Sequence, residues 1–111
     1  MAYTRSALRK SLVLPRSTYT NFGEPNYEYA FTTNGGMSVA LKAISNYQVG
    51  DTLKFMHRNG GVAFNITSVG SNDIYNGSSS TNTITCSATT PIQFTVGNYI
   101  GTTSFIVSEK Q

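Results

Sequence analysis

The chain has 111 residues and a formal charge of +3, enough for one domain and too little for two. With 39% hydrophobic and 12% charged residues it can build a core, and its five acids set it apart from highly charged disordered chains. One cysteine excludes an internal disulfide and a multi-cysteine zinc site, and one histidine excludes most triad and metal chemistry.

The charge is unevenly placed. Residues 1–16 hold Arg5, Arg9, Lys10 and Arg16 and no acid, whereas the rest of the chain is close to neutral. A nucleic-acid binder spreads Lys and Arg over a face of its folded body, so the balance argues against groove binding. No apolar run is long enough to span a membrane. Leu8 and Leu12 stand four apart, as do Arg5 and Arg9, a spacing that allows a helical turn or two. Leu12, Val13 and Leu14 form an apolar triplet that stops at Pro15, and Gly23 and Pro25 interrupt the polar and aromatic segment Ser17–Asn26. Residues 1–26 are therefore expected to be an extended basic docking arm, and residues 27–111 a β-domain that folds without it.

From Tyr27 onward the hydrophobic period is two. Tyr27, Tyr29 and Phe31 alternate with polar or small residues. So do Val39, Leu41 and Ala43, then Leu53 and Phe55, then Val62, Phe64 and Ile66. Ile84 and Cys86 come next, then Ile92, Phe94 and Val96, and a last run spans Thr102–Ser108, with a shorter one at Asn72–Tyr75. Between these runs stand Asn34-Gly35-Gly36, Val49-Gly50-Asp51, Asn59-Gly60-Gly61, Gly70-Ser71-Asn72, Asn76-Gly77 and Gly97-Asn98. Seven to eight short strands divided by Gly/Asn turns predict an all-β antiparallel sandwich or jelly roll. A hairpin is expected at His57–Gly61, and Gly77–Asn82 reads as a six-residue polar loop.

The chemistry-bearing residues point away from catalysis. Asp51 and His57 share a strand and a face, but ~3.3 Å per residue puts them about 20 Å apart. His57 reads as a surface or hairpin-end residue. Cys86 falls on the inward phase with no cation beside it to lower its pKa, so it reads as a small buried hydrophobe. Asn65-Ile66-Thr67 and Asn76-Gly77-Ser78 fit a glycosylation pattern that chance supplies readily in a chain with 38 Ser, Thr and Asn residues. Asn65 reads as an outward strand residue and Asn76 as a turn former. No catalytic, cofactor or metal residue is assigned. The arm residues Arg5, Leu8, Arg9, Lys10, Leu12, Val13, Leu14, Arg16, Tyr19 and Phe22 are expected to dock, with apolar anchors inside a charged rim. Tyr27, Tyr29 and Met56 are expected to form an oligomer interface.

Gly50–Phe55, Asn59–Ile66, Ile74–Ser80, the Thr-rich run Thr83–Ser87 and the closing strand Ser104–Val107 together resemble a bacteriophage virion β-module. Modules of this kind occur in capsid decoration (cement) proteins and tail-fibre tips, and the likeness covers about half the chain. The aromatic pair near the end of fibre modules is matched only in part by Asn98-Tyr99, and the chain has no Trp. The resemblance implies a structural, non-enzymatic virion protein on the capsid surface, made in the host bacterial cytoplasm. It implies a homotrimer whose partner is the major capsid protein, clamped through arm and body, with no membrane or nucleic acid bound. A tail-fibre, spike or adhesin component that binds a host receptor or carbohydrate is the alternative.

Overall fold

The alternation of apolar and polar residues builds strands that each present one face to a shared interior. The computed structural model describes residues 9–13, 17–32, 37–57, 63–87 and 90–110. It contains the strands β1 (Arg9–Val13), β2 (Thr18–Phe22), β3 (Tyr27–Phe31), β4 (Ser38–Leu41), β5 (Thr52–His57) and β6 (Phe64–Thr67). After these come β7 (Ile74–Asn76), β8 (Ser79–Thr81), β9 (Thr83–Cys86), β10 (Ile92–Tyr99) and β11 (Thr102–Lys110). One 3-10 turn, Ile44–Asn46, lies between β4 and β5. A seven-stranded sheet of order β1-β3-β5-β10-β11-β7-β8 packs on a four-stranded sheet of order β2-β4-β6-β9. The all-β sandwich expected from the sequence is observed.

Its connectivity differs from the expectation. Through β6 the chain changes sheet at every connection, so β1, β3 and β5 lie side by side in one sheet and β2, β4 and β6 in the other. Strands reached this way run parallel, and β1/β3, β3/β5, β2/β4 and β4/β6 all do. Antiparallel pairing enters with β6/β9, β7/β8, β5/β10 and β10/β11. The sheets are therefore mixed rather than antiparallel, and their pairing does not establish a jelly roll, which is made of antiparallel Greek keys. Since β5 and β6 belong to different sheets, the connection from His57 is a crossover and not the expected hairpin.

The core is aromatic. Phe31, Phe55, Phe94 and Phe105 are fully buried on the seven-stranded side and meet Leu41, Val39, Phe64, Ile66 and Cys86 from the other sheet. Tyr29 stacks on Phe55 at 5.7 Å, and Phe31 meets Phe64 edge-on at 5.3 Å, joining the layers. Fully burying one such side chain stabilises by about 1.5–3 kcal/mol, so this cluster carries much of the fold.

Three strands were not foreseen, and two of them lie in the supposed arm. Arg9–Val13 is an edge strand, not a helical turn, and Thr18–Phe22 is the edge strand of the smaller sheet. The third, Ser79–Thr81, forms a tight hairpin with β7 around Gly77-Ser78, where a six-residue loop was expected. Gly97-Asn98 does not turn either. Strand β10 continues to Tyr99, and the two-residue turn is Ile100-Gly101, both at positive φ (50° and 77°). Gly97 stays in the strand because the Ile106 side chain occupies the space beside it, 2.9 Å from where a Cβ would stand.

Candidate docking surface

The residues expected to bind a partner divide into three groups. Arg5, Leu8, Leu14 and Arg16 lie outside the described residues. Arg9, Lys10, Leu12 and Val13 belong to β1, in register with Tyr27, Glu28, Ala30 and Phe31 of β3. The basic segment is thus held at one edge of the larger sheet by backbone pairing. Register across β3/β5 sets Glu28 opposite Lys54, so opposite charges stand on neighbouring strands.

Tyr19 and Phe22 are the third group, and the docking expectation for them is corrected. Tyr19 is buried, with its ring 5.0 Å from Phe22 and 5.2 Å from Phe31. Phe22 packs against the core and lies 4.6 Å from Tyr29. Their alternation was too short to register as a strand, because Asn21, at φ 49°, bulges the pairing between Tyr19 and Phe22.

The proposed oligomer residues also separate. Tyr29 is buried, and Tyr27 is half-buried and stacked on it at 5.7 Å, so both share the inward phase of β3 with Phe31. The Tyr29 hydroxyl accepts the Glu24 backbone N–H at 2.7 Å, and desolvation by burial pushes its pKa up to about 12. Tyr29 is therefore core rather than interface. Met56 is half-buried on the opposite phase of β5 from Phe55.

Neither expected reactive side chain occupies an open site. His57 is buried at the end of β5 on the phase of Leu53 and Phe55, which corrects its reading as a surface residue. Cys86 is buried as expected, its Sγ within 3.6–3.8 Å of the carbonyls of Phe55, Ser87 and Thr90. Asn65 is exposed as expected, and its Oδ1 accepts the Thr85 hydroxyl at 2.8 Å. Among the described residues no group of three or more His, Cys, Asp or Glu stands together in a metal-binding arrangement.

What the sequence did not reveal is the end of the sandwich where β3, β5, β7 and β11 begin. Asp51, 1% exposed, accepts the Gln48 backbone N–H at 2.8 Å and the Asn26 side-chain amide at 3.2 Å. Asn26 in turn accepts the Thr52 backbone N–H at 3.0 Å, and the Tyr47 hydroxyl donates to the Gly23 carbonyl. Gly50 N–H donates to the Val96 carbonyl and Val96 N–H to the Asp51 carbonyl, both at 2.8 Å. These bonds fix three loops to one another and to β10. Between them the surface carries Val49, Val69 and Ile100, the large hydrophobic residues most exposed among those described. Isolated apolar residues in loops carry no signal in a single sequence; only the fold gathers these three.

Compared with protein-family models and with curated proteins, the chain finds no match.

Proposed function

We propose that this chain is a structural virion protein that decorates and stabilises a phage capsid, docking on the major capsid protein as a homotrimer. The observation that carries the reading is the placement of the basic segment. Arg9 and Lys10 lie in an edge strand of a rigid sandwich whose remaining charge nearly cancels, so attraction acts at one edge and orients the body. The virion-module resemblance over Gly50–Val107 supplies the partner class.

The fold changes the mechanism from a long strap to a short one. A free arm of about 25 residues could reach ~80 Å at ~3.3 Å per residue. Only eight residues precede β1, which limits their reach to about 26 Å. Attachment is then shared between a short basic segment and the body itself, and clustered copies restore affinity through effective concentration. Binding only the assembled shell stabilises the shell by mass action.

A fibre or spike role is the second reading, and one observation favours it. The Tyr75 and Tyr99 rings lie 4.4 Å apart near the exposed Asn72, Asn76 and Asn98, a set of aromatic and amide groups suited to a sugar. Copy number per purified particle separates the two. Hundreds of copies, with rebinding to stripped heads, support decoration. A count confined to the tail, with no rebinding to heads, overturns it in favour of the fibre.

A further inference from the structure

Three large hydrophobic residues among those described stand mostly in solvent: Val49 at 64%, Val69 at 72% and Ile100 at 81%. The topology brings all three to one end. Strands β3 and β5 are parallel and start there, and β10, antiparallel to β5, ends there with β11 starting beside it. Strand β2 ends there too, because only residues 23–26 separate it from β3, and β4 and β6 run parallel to β2. Val49 precedes β5, Val69 comes after β6, and Ile100 is the tip of the β10–β11 hairpin. We propose that this loop end is where copies of the chain meet, Val49, Val69 and Ile100 forming the apolar centre of the contact. The proposal rests on the trimer reading and gives it a surface.

Ile100 is the most telling of the three. A two-residue hairpin turn with positive φ at both positions calls for Asn, Asp or Gly at the first, where the side chain is also in water. A β-branched residue at φ 50° is an outlier that the flanking pairs have to hold in place. Ile100 is therefore unsuited to its position both in backbone and in solvation. Covering the tip removes the second cost, and a copy of the same apolar surface is sufficient cover.

The end is also rigid, neutral and large enough. The Tyr75–Tyr99 contact braces the hairpin, Asp51 and Val96 hold the Val49 loop, and Asp73 accepts the Gly70 N–H at 2.9 Å beside Val69. Glu24 and Lys42 pair at 3.0 Å, while Asp51 and Asp73 turn onto backbone N–H groups, so identical ends approach without strong repulsion. The molecule measures 38 × 36 × 25 Å, which gives such an end roughly 900 Å², close to the ~800 Å² each partner buries in a stable complex.

Sedimentation of the full chain tests this, using wild type, Ile100→Asn, and the triple variant Val49→Ser, Val69→Ser, Ile100→Asn. Wild type should self-associate at micromolar concentration. Ile100→Asn should raise the midpoint about tenfold or more while leaving melting temperature unchanged or higher, since Asn suits the turn. The triple variant, if folded by circular dichroism, should be monomeric; if it misfolds, Ile100→Asn alone decides. A dimer lost by the same substitutions supports the surface and corrects the stoichiometry. A wild-type monomer at ~100 μM, well above a micromolar midpoint, overturns the proposal, as does an oligomer indifferent to Ile100→Asn. Capsid binding is read separately: a monomer that rebinds heads defeats only this interface, and an oligomer that ignores heads defeats only the decoration reading.

Discussion

Asn26 and Asp51, twenty-five residues apart in sequence, are joined by a 3.2 Å hydrogen bond between buried side chains, the Asn amide donating to the carboxylate. Asn26 also adopts φ 67°, which Asn tolerates better than most residues. Its backbone N–H donates to the Thr52 carbonyl at 2.7 Å, so both its backbone and its side chain bind the start of β5. The pair welds the β2–β3 loop to the β4–β5 loop, where the chain twice returns from one sheet to the other.

Asp51→Ala should therefore cost about 2–4 kcal/mol, because the Asn26 amide and the Gln48 N–H each lose a buried acceptor. Asn26→Gly keeps the backbone angle and should cost about 1–3 kcal/mol through the lost Thr52 contact. Since the two residues share a bond, the double variant should fall short of the sum by about 1 kcal/mol. Urea denaturation midpoints measure all three, and strict additivity would show that the bond contributes nothing.

How much of this was legible depends on what each feature rests on. The strands from Tyr27 onward were readable because period two is written in the residues themselves, as Phe64, Ile66, Ile84 and Cys86 show. Whether neighbouring strands pair is not written there. Leu53–Phe55 and Phe64–Ile66 alternate alike whether they form a hairpin or face each other across the core, and the chain takes the second course. Strand β2 was hidden by the bulge at Asn21, and β1 by Leu8 and Leu12, which mimic a helical spacing. The loop end was illegible for a different reason. Val49, Val69 and Ile100 come together only through parallel pairing of strands distant in sequence.

The first 26 residues are part of the body, contrary to the domain boundary drawn from composition. Deleting them removes β1 and β2, with Tyr19 from the core and Phe22 from its edge. It also removes Asn26, leaving the buried Asp51 carboxylate without that donor. The shortened chain should lose its cooperative thermal transition, since a large aromatic removed from a core costs about 3–5 kcal/mol and small domains hold only about 5–15. Thermal melts followed by circular dichroism check this. A sharp transition in residues 27–111 would restore the independent β-domain.

Alkaline pH should weaken the fold through its buried tyrosines. Tyr29 is raised to about 12 by burial, against the ordinary tyrosine value of 10.0, and Tyr47 is pushed further in the same direction for the same reason. The unfolded chain ionises first, so the stability these groups hold is intact below about pH 10 and drains away as the pH rises towards 12. Tyr29→Phe should start lower, having lost the Glu24 contact, and decline less steeply. Melting temperatures between about pH 8 and 12 give the slopes, and parallel curves for wild type and Tyr29→Phe would remove Tyr29 from the account.

Gly23 and Gly77 separate two costs that a side chain can impose. Both have positive φ, 104° and 68°, so alanine is strained at either by about 1–2 kcal/mol. Their surroundings differ. A Cβ at Gly77 would meet nothing within 4 Å, whereas one at Gly23 would stand 3.1 Å from the Tyr47 hydroxyl, 3.5 Å from Leu41 and 3.6 Å from Leu53. The Tyr47 hydroxyl donates to the carbonyl of Gly23 itself, so the intruding methyl would push on a bond it adjoins. Leu41 and Leu53 are fully buried and have little room to yield. Gly77→Ala should then show the backbone cost alone, and Gly23→Ala that cost plus about 1–3 kcal/mol for the disturbed buried hydrogen bond. Tyr47→Phe removes the hydroxyl that the methyl would strike, so in that background Gly23→Ala should fall back towards the Gly77→Ala value. Equal losses for the two alanine variants in the wild-type background would mean that Tyr47 moves aside freely, and that this hydroxyl does not hold the loop.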